Sequence, residues 1–270
     1  DTKPNAAFIC TPSSMHIKEA TQILKKNVHI FVEKPLGSNE KGLAELIKLY
    51  NSKKDKVITM MGFQIKFNPL YIYLRKFLKK NYKNINKVEI YVGERLQDFH
   101  KYEDYRISYA SKKKLGGGVL LTQIHEIDYF LDLFRGFKIT ILSSVLKKKT
   151  NLQIDVEDAF DGKFLVKKKN TKSIPVKMHL DYYTFPKKKF IKIYYKSKTV
   201  TANFTKKQFV MVKKKSKKVK KFQFSNNLPF RNEIQYFYNA VIKKKIPQRL
   251  SLKSGIDSLI MVNKLKKFIN

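Results

Sequence analysis

The sequence predicts an α/β chain in two parts. The first is a partial Rossmann unit, the later strands of a doubly wound parallel sheet. The second is an α+β domain on a large, mostly antiparallel open-faced sheet. Two observations predict this. Over residues 6–63, short apolar runs alternate with helix-period segments, the pattern of parallel strands joined by crossover helices. From residue 137 onward, short strand-like runs follow one another with no helical pattern between them. At 270 residues the chain is long enough for two sub-cores. The boundary is placed at residues 64/65, giving units 1–64 and 65–270.

Residues 6–10 are a short apolar run and read as a buried strand that includes Cys10. Thr11-Pro12-Ser13-Ser14 is a turn with helix N-cap candidates, and His16, Ala20, Ile23 and Leu24 then recur at helical spacing. Residues 29–35, HIFVEKP, form the next strand and end in Glu33-Lys34-Pro35. Pro35 has no N–H and holds Lys34 extended, so the strand stops there. A helix over 39–50 and a strand over 57–63 complete the unit. In open α/β sheets ligands bind outside the carboxyl ends of the strands. The 11–16 loop and the Glu33-Lys34 pair share that edge. Helix starts there offer free N–H groups, and burial lowers the pKa of a Lys ammonium.

The second unit opens with a helix over 68–80, carrying Leu70, Leu74 and Leu78 on one face, and a strand over 86–95. Residues 96–115 are a polar, aromatic loop of a length usually reserved for function. A helix over 117–135 has the apolar stripe Leu120, Ile124, Ile127, Leu131 and Phe134, with Thr122, His125, Asp128 and Asp132 on another face. Gly116-Gly117-Gly118 at its start permits close approach of a ligand or of backbone. His125, three residues from Asp128, is expected beside a carboxylate with a pKa near neutrality, able to relay a hydroxyl proton. Strands are predicted over 137–146, 158–167, 174–184, 189–196, 198–204, 207–212 and 219–224, and helices over 230–244 and 252–268.

The net charge of +37 comes from 58 Lys and Arg, and only six of these are Arg, at 75, 95, 106, 135, 231 and 249. Bidentate phosphate and base contacts favour Arg, so the Lys excess reads as compositional drift on solvated faces, with no nucleic-acid partner. The densest run, Lys213 to Lys221, is expected at a hairpin tip. No apolar run is long enough to cross a membrane. The single Cys10 cannot form an intramolecular disulfide and fits a reducing cytoplasm.

Four blocks occur in a fixed order: TPSSMH at 11–16, EKP at 33–35, GFQIKFNP at 62–69 and LGGGVLLTQIHEID at 115–128. With these the chain resembles the glucose–fructose oxidoreductase / inositol dehydrogenase (Gfo/Idh/MocA) family of nicotinamide-dependent oxidoreductases. The resemblance implies hydride transfer between NAD or NADP and a sugar or sugar derivative. It implies Lys34 and His125 as catalytic groups, with Thr11, Pro12, His16, Glu33, Lys34 and Gln64 toward the cofactor. Lys66, Tyr105, Arg106 and Thr122 are then substrate-side candidates, and an Arg beside a Tyr suits a carboxylate or phosphate. The resemblance also implies a homo-oligomer assembled through the carboxyl-terminal sheet.

Three departures stand beside it. No G-x-G-x-x-G precedes the strand at 6–10, and the Gly run at 116–118 follows a polar loop, so the dinucleotide fingerprint is missing. The expectation is an N-terminally truncated chain. Leu121 stands where many members carry an Asp four residues before the His, and Lys66 stands where Arg is usual. The polar Thr122 and the segment 93–109 look like the subgroup tied to surface-glycan sugar synthesis. Two other readings stay open: a non-catalytic binding or scaffold relative, and a basic nucleic-acid-binding protein.

Overall fold

The computed structural model describes residues 3–99, 102–247 and 249–268. In the first unit, β1 (Ala6–Ile9), α1 (His16–Lys25), β2 (His29–Val32), α2 (Leu43–Lys53) and β3 (Thr59–Met61) alternate. The strands form a parallel sheet in the order β1-β2-β3. Ile30, Phe31 and Val32 of β2 are all buried, as a central strand covered on both faces requires. The register Ile9↔Val32↔Met61 aligns the three strand ends. The loops starting at Cys10, Glu33 and Gly62 therefore leave the sheet at one edge.

Three boundaries differ from expectation. β1 ends at Ile9, whose carbonyl takes the Glu33 N–H at 2.9 Å. Cys10 lies beyond the ladder and is exposed, not buried in a strand. α2 starts at Leu43 rather than 39, because Asn39 Oδ1 accepts the Lys41 N–H and Gly42 adopts φ 76°, a conformation disfavoured for other residues. β3 is shortened to three residues. Its Met61 N–H leaves for the Leu250 carbonyl at 2.7 Å, tying the carboxyl-terminal part of the chain to this sheet.

A single 3-10 turn (Gln64–Phe67) leads to α3 (Pro69–Asn81). Asn68 caps α3, its Oδ1 accepting from Leu70 and Tyr71 N–H, and Pro69 fills the first turn, where an N–H has no partner. β4 (Ile85–Gly93) follows, then α4 (Val119–Thr122), α5 (Ile124–Leu133), β5 (Lys138–Lys147), β6 (Ala159–Lys167), β7 (Ile174–Asp181), β8 (Lys188–Tyr195), β9 (Lys198–Asn203), β10 (Gln208–Lys213) and β11 (Ser216–Lys221). These eight strands make one sheet, β11-β10-β9-β8-β4-β7-β6-β5, in which only the β4–β7 pair is parallel. α3 and α4 pack on one face. α6 (Leu228–Ile242) crosses back to the small sheet, where Phe237 meets Phe8 and Phe31 at 5.3 and 5.7 Å. α7 (Leu252–Lys267) runs against α5.

Two further differences have physical causes. The Lys213–Lys221 run is not a hairpin tip. Most of it is β11 itself, an exposed edge strand in register Val210↔Val219 with β10, and the tip is Lys214-Lys215. Charges on both faces of an edge strand oppose further pairing. The 117–135 helix is broken at Gln123 (φ −97°, ψ 34°) into α4 and α5. Nor does it have a solvated face: His125, Glu126, Asp128 and Asp132 are as buried as its apolar residues.

Buried charges fasten the helices where the two units meet. Lys66 Nζ donates to Asp128 Oδ1 at 2.7 Å, both side chains being 2% exposed, and to the Arg249 carbonyl at 3.2 Å. Asp132 accepts from Tyr71 Oη at 2.7 Å and Arg249 Nη2 at 2.5 Å. Burial lifts the Asp128 carboxyl to about 6 against the pull of Lys66. Burial would also raise Asp132, but the Arg249 bond, the Lys66 charge and the Tyr71 hydroxyl outweigh it and hold Asp132 at about 2.

Removing one partner of a buried pair leaves an uncompensated charge. Lys66→Met should lower the denaturant-unfolding free energy by roughly 3–5 kcal/mol, and Lys66→Met with Asp128→Leu should recover most of it. Asp132 predicts an acid limb. Its folded pKa lies below the unfolded value of 3.8, so its contribution is whole above pH 3.8 and is lost as pH falls through about 2. That contribution is about 2–3 kcal/mol. Asp132→Asn should be less stable at neutral pH and flatter between pH 4 and 2 in chemical denaturation.

Candidate active site

The site forms where the β2 loop meets the break between α4 and α5. Pro35 ends β2 and leaves Lys34 just past the sheet, half-buried. At the break, the Glu126 N–H turns to the Gln123 carbonyl instead of the Thr122 carbonyl that an unbroken helix would offer it. Lys34 Nζ takes that Thr122 oxygen at 3.0 Å. Glycines let the parts close up. A Cβ on Gly62 would stand 2.9 Å from Glu33 Oε1, so the Glu33 carboxylate rests on bare backbone. Gly118, at φ 102°, admits the Glu157 carboxylate in the same way.

His125, the first buried polar residue of α5, sits on this floor with its ring edge-on to Phe63, centroids 5.8 Å apart. Among the described residues no carboxylate is hydrogen-bonded or ion-paired to it. Asp128 is taken by Lys66, and Thr122 Oγ1 accepts the Tyr182 hydroxyl at 2.6 Å. His125 Nδ1 is buried without a hydrogen-bond partner. Burial first, and then the charges of Lys34, Lys189 and Lys66, hold the imidazole well below its ordinary pKa. His125 is therefore neutral at pH 7, not poised at neutrality as its spacing from Asp128 implies. Burial lowers Lys34 too, opposed by Glu33 and Glu126. Glu33 moves up by burial, offset by the Lys34 N–H and the charges of Lys34 and His16. Burial shifts all three groups, Lys34 and His125 down and Glu33 up, a clustering frequent at functional sites.

The other sequence candidates are distributed around this centre. His16 is buried, and its two ring nitrogens lie 2.7 Å from the Pro35 and Thr11 carbonyls, clasping the β1 and β2 loops together. Thr11 is exposed and donates to Glu19 at 2.6 Å, and Pro12 is exposed beside it. Gln64, partly buried, opens the turn after β3. Lys66 is sealed in its ion pair. Tyr105 is partly buried, its hydroxyl 3.5 Å from the Gln153 N–H, while exposed Arg106 pairs with Asp104. Neither Tyr105 nor Arg106 bonds to Lys34 or His125. Leu121 is core.

Three residues join the site that the sequence did not single out. Glu126 pairs with Lys189 at 2.6 Å, and Tyr109, its hydroxyl pKa raised by burial and then by Glu103 and Glu33, stands near the Glu33 carboxylate. Glu126 could have been read from its place next to His125. Lys189 could not, since it lies in a Lys triplet like many others.

The comparisons with known proteins bear on the fold that carries these residues. The family model described as an oxidoreductase family with an NAD-binding Rossmann fold, Gfo/Idh/MocA, matches residues 1–62. Over that segment the chain resembles Gfo/Idh/MocA oxidoreductases. It is 27% identical over 120 residues to the scyllo-inositol 2-dehydrogenase (NADP(+)) of Bacillus subtilis, which is 43% of this chain and 35% of that protein. A second curated relative, from Salmonella typhimurium, is 25% identical over 169 residues. The chain thus spans between 35% and 54% of the length of these relatives. Among solved structures, a levoglucosan dehydrogenase holding NADH and levoglucosan superposes at a TM-score of 0.78 with 15% identity, over 97% of this chain and 77% of its own. UDP-N-acetylglucosamine 3-dehydrogenase from Acidithiobacillus ferrooxidans gives 0.73 and 16%, again over 97% and 77%. At these identities the structural likeness establishes the two-unit fold.

Because the Lys34 charge depresses His125, Lys34→Met should raise the His125 pKa. Lys189→Met should move it the same way. Imidazole NMR titration checks both, and an unchanged or lowered His125 midpoint in Lys34→Met would break the electrostatic account.

Proposed function

We propose that this chain carries the reaction centre of a nicotinamide-dependent oxidoreductase that moves a hydride to or from a carbinol carbon of a sugar or sugar derivative. The observation behind this reading is the meeting of Lys34, at the carboxyl edge of the parallel sheet, with neutral His125 across the α4–α5 break. The residues present suit the nicotinamide end of NAD or NADP. Three aligned strand ends open onto one edge, where a dinucleotide lies in such sheets, and Glu33 and the 11–16 loop line that edge. Among the described residues there is no Gly-rich turn of the kind that cradles a pyrophosphate.

A nicotinamide held there would supply the acceptor or donor of the hydride. The protein's share is the proton and the charge. Lys34, with its ammonium anchored on the Thr122 carbonyl, stabilises negative charge developing on the substrate oxygen. His125, kept neutral, accepts the hydroxyl proton on oxidation and returns it on reduction. Glu33 offsets the Lys34 charge. Sugar substrates are favoured by the company the chain keeps: an inositol dehydrogenase, a levoglucosan dehydrogenase and a UDP-sugar dehydrogenase. A sugar nucleotide of surface-glycan synthesis is the narrower proposal, resting on the last of these. A second copy of the chain is proposed to cover the outer face of the eight-stranded sheet.

Turnover of NAD(P)H with sugars and UDP-sugars tests the reading. Lys34→Ala and His125→Ala should each lower kcat by about 10²–10⁴-fold, with cofactor affinity nearly unchanged. Normal turnover in Lys34→Ala would remove the assignment. Cofactor binding without turnover in the unaltered chain would favour a non-catalytic relative, consistent with Leu121 in place of an Asp.

A further inference from the structure

Residues 119–126 hold neither Gly nor Pro, the residues that most often break a helix. The helix breaks all the same, at Gln123. Two side-chain hydrogen bonds meet the break, and both join it to the end of β7. Gln123 Nε2 donates to the Asp181 carbonyl at 3.1 Å, and Tyr182 Oη donates to Thr122 Oγ1 at 2.6 Å. Neighbours on one segment thus hold neighbours on the other. Gln123, Thr122 and Tyr182 are all buried. A leucine and a phenylalanine would fill the places of Gln123 and Tyr182 without the cost of desolvating an amide and a phenol. Gln123 Oε1 is buried with no hydrogen-bond partner, so the Nε2 bond is what orients the amide.

The segment to which the break is tied is itself fixed. The fully buried Asp181 carboxylate accepts from the N–H groups of Tyr183 and Thr184 at 2.9 and 2.6 Å and from the hydroxyls of Thr184 and Tyr91 at 2.6 and 3.2 Å, and it lies 3.0 Å from His179 Nε2. Gly93, its register partner in β4, presses bare backbone against it, and a Cβ there would collide with Asp181 Oδ2. Tyr182 is held through its main chain, its N–H on the Asp158 carbonyl and its own carbonyl on the Leu96 N–H, each at 2.9 Å. Its ring stands edge-on to Phe99, centroids 5.5 Å apart.

We propose that Gln123 and Tyr182 are positioning residues: by fastening the α4–α5 elbow to the end of β7, they keep the Thr122 carbonyl out of the helix ladder and turned toward Lys34 Nζ. The contact they set is the 3.0 Å bond of the Lys34 ammonium. The same constraint fixes where α5 begins, and His125 is in its first turn. The consequence for turnover rests on the function proposed above, but the consequence for Lys34 does not.

Double-mutant cycles on the full chain, read by denaturant unfolding, test the proposal. Gln123→Met keeps the reach of the side chain and deletes the donor. Tyr182→Phe deletes only the hydroxyl. Lys34→Met removes the group that the carbonyl serves. Each change should undo the same Lys34–Thr122 bond, so Gln123→Met with Lys34→Met should cost clearly less stability than the two single losses added together. Tyr182→Phe with Lys34→Met should be non-additive in the same sense. Additive losses in either cycle would overturn the assignment of that residue and make it a packing group only. If Gln123→Met does not fold, the Tyr182→Phe cycle decides: coupling supports the proposal, and additivity overturns it. In a chain that turns over, Tyr182→Phe should also lower kcat by about 10-fold or more with the cofactor KM unchanged, and a wild-type kcat would overturn the proposal. A wild-type chain inactive with every nicotinamide and sugar would refute the proposed function and leave both cycles readable.

Discussion

A Lys ammonium bonded to a main-chain carbonyl at a helix break is the contact on which the site depends. Lys34 follows the central strand of the parallel sheet, and Thr122 belongs to the second unit. Without the break at Gln123, the Thr122 carbonyl would be committed to the helix ladder and would offer Lys34 nothing. The sheet edge and the α4–α5 elbow therefore define each other. The small sheet supplies the charge, and the larger unit supplies the imidazole beside it.

That arrangement concentrates ionisable groups where water is scarce, and most of them are neutralised or paired. Asp128 is matched by Lys66, Asp132 by Arg249 and Tyr71, and Glu126 by Lys189. Lys34 faces Glu33 and Glu126. His125 and Glu233 follow the other route open to a buried titratable group and discharge themselves. A chain with a net charge of +37 thus has a candidate site far nearer balance than its surface. The excess Lys lies on exposed faces such as β11, away from the candidate site.

Much of this is legible in the sequence where short-range rules decide. The parallel alternation over 6–63, the run of strands after 137 and the two closing helices follow from periodicity, and each appears within a few residues of its expected limits. Lys34 is marked by Pro35, whose effect on the strand is local. What long-range contact decides is not legible. Gln123 carries no breaker signal, so one helix is expected where two are found. The partner of Asp128 is 62 residues away, while His125 is three, and sequence spacing points to the wrong one. Lys66 looks like a ligand group from its place at the junction and is instead closed in an ion pair. Glu233 is not singled out by the sequence, because only the docked α6 shows that its face is inward.

The lysine edge strand has a consequence for the growth of the large sheet. A strand added beyond β11 would lie about 4.8 Å away, and at physiological ionic strength the Debye length is roughly 8 Å. The field of Lys217, Lys218, Lys220 and Lys221 therefore reaches past the position a newcomer would occupy, and another copy presenting the same edge is turned away before its backbone can bond. In 1 M salt the screening distance shrinks to about 3 Å, shorter than the strand spacing. β11 then works as an ionic guard rail, in place at cellular salt and lowered in strong brine, and it leaves the sheet's end open to a strand that brings negative charge.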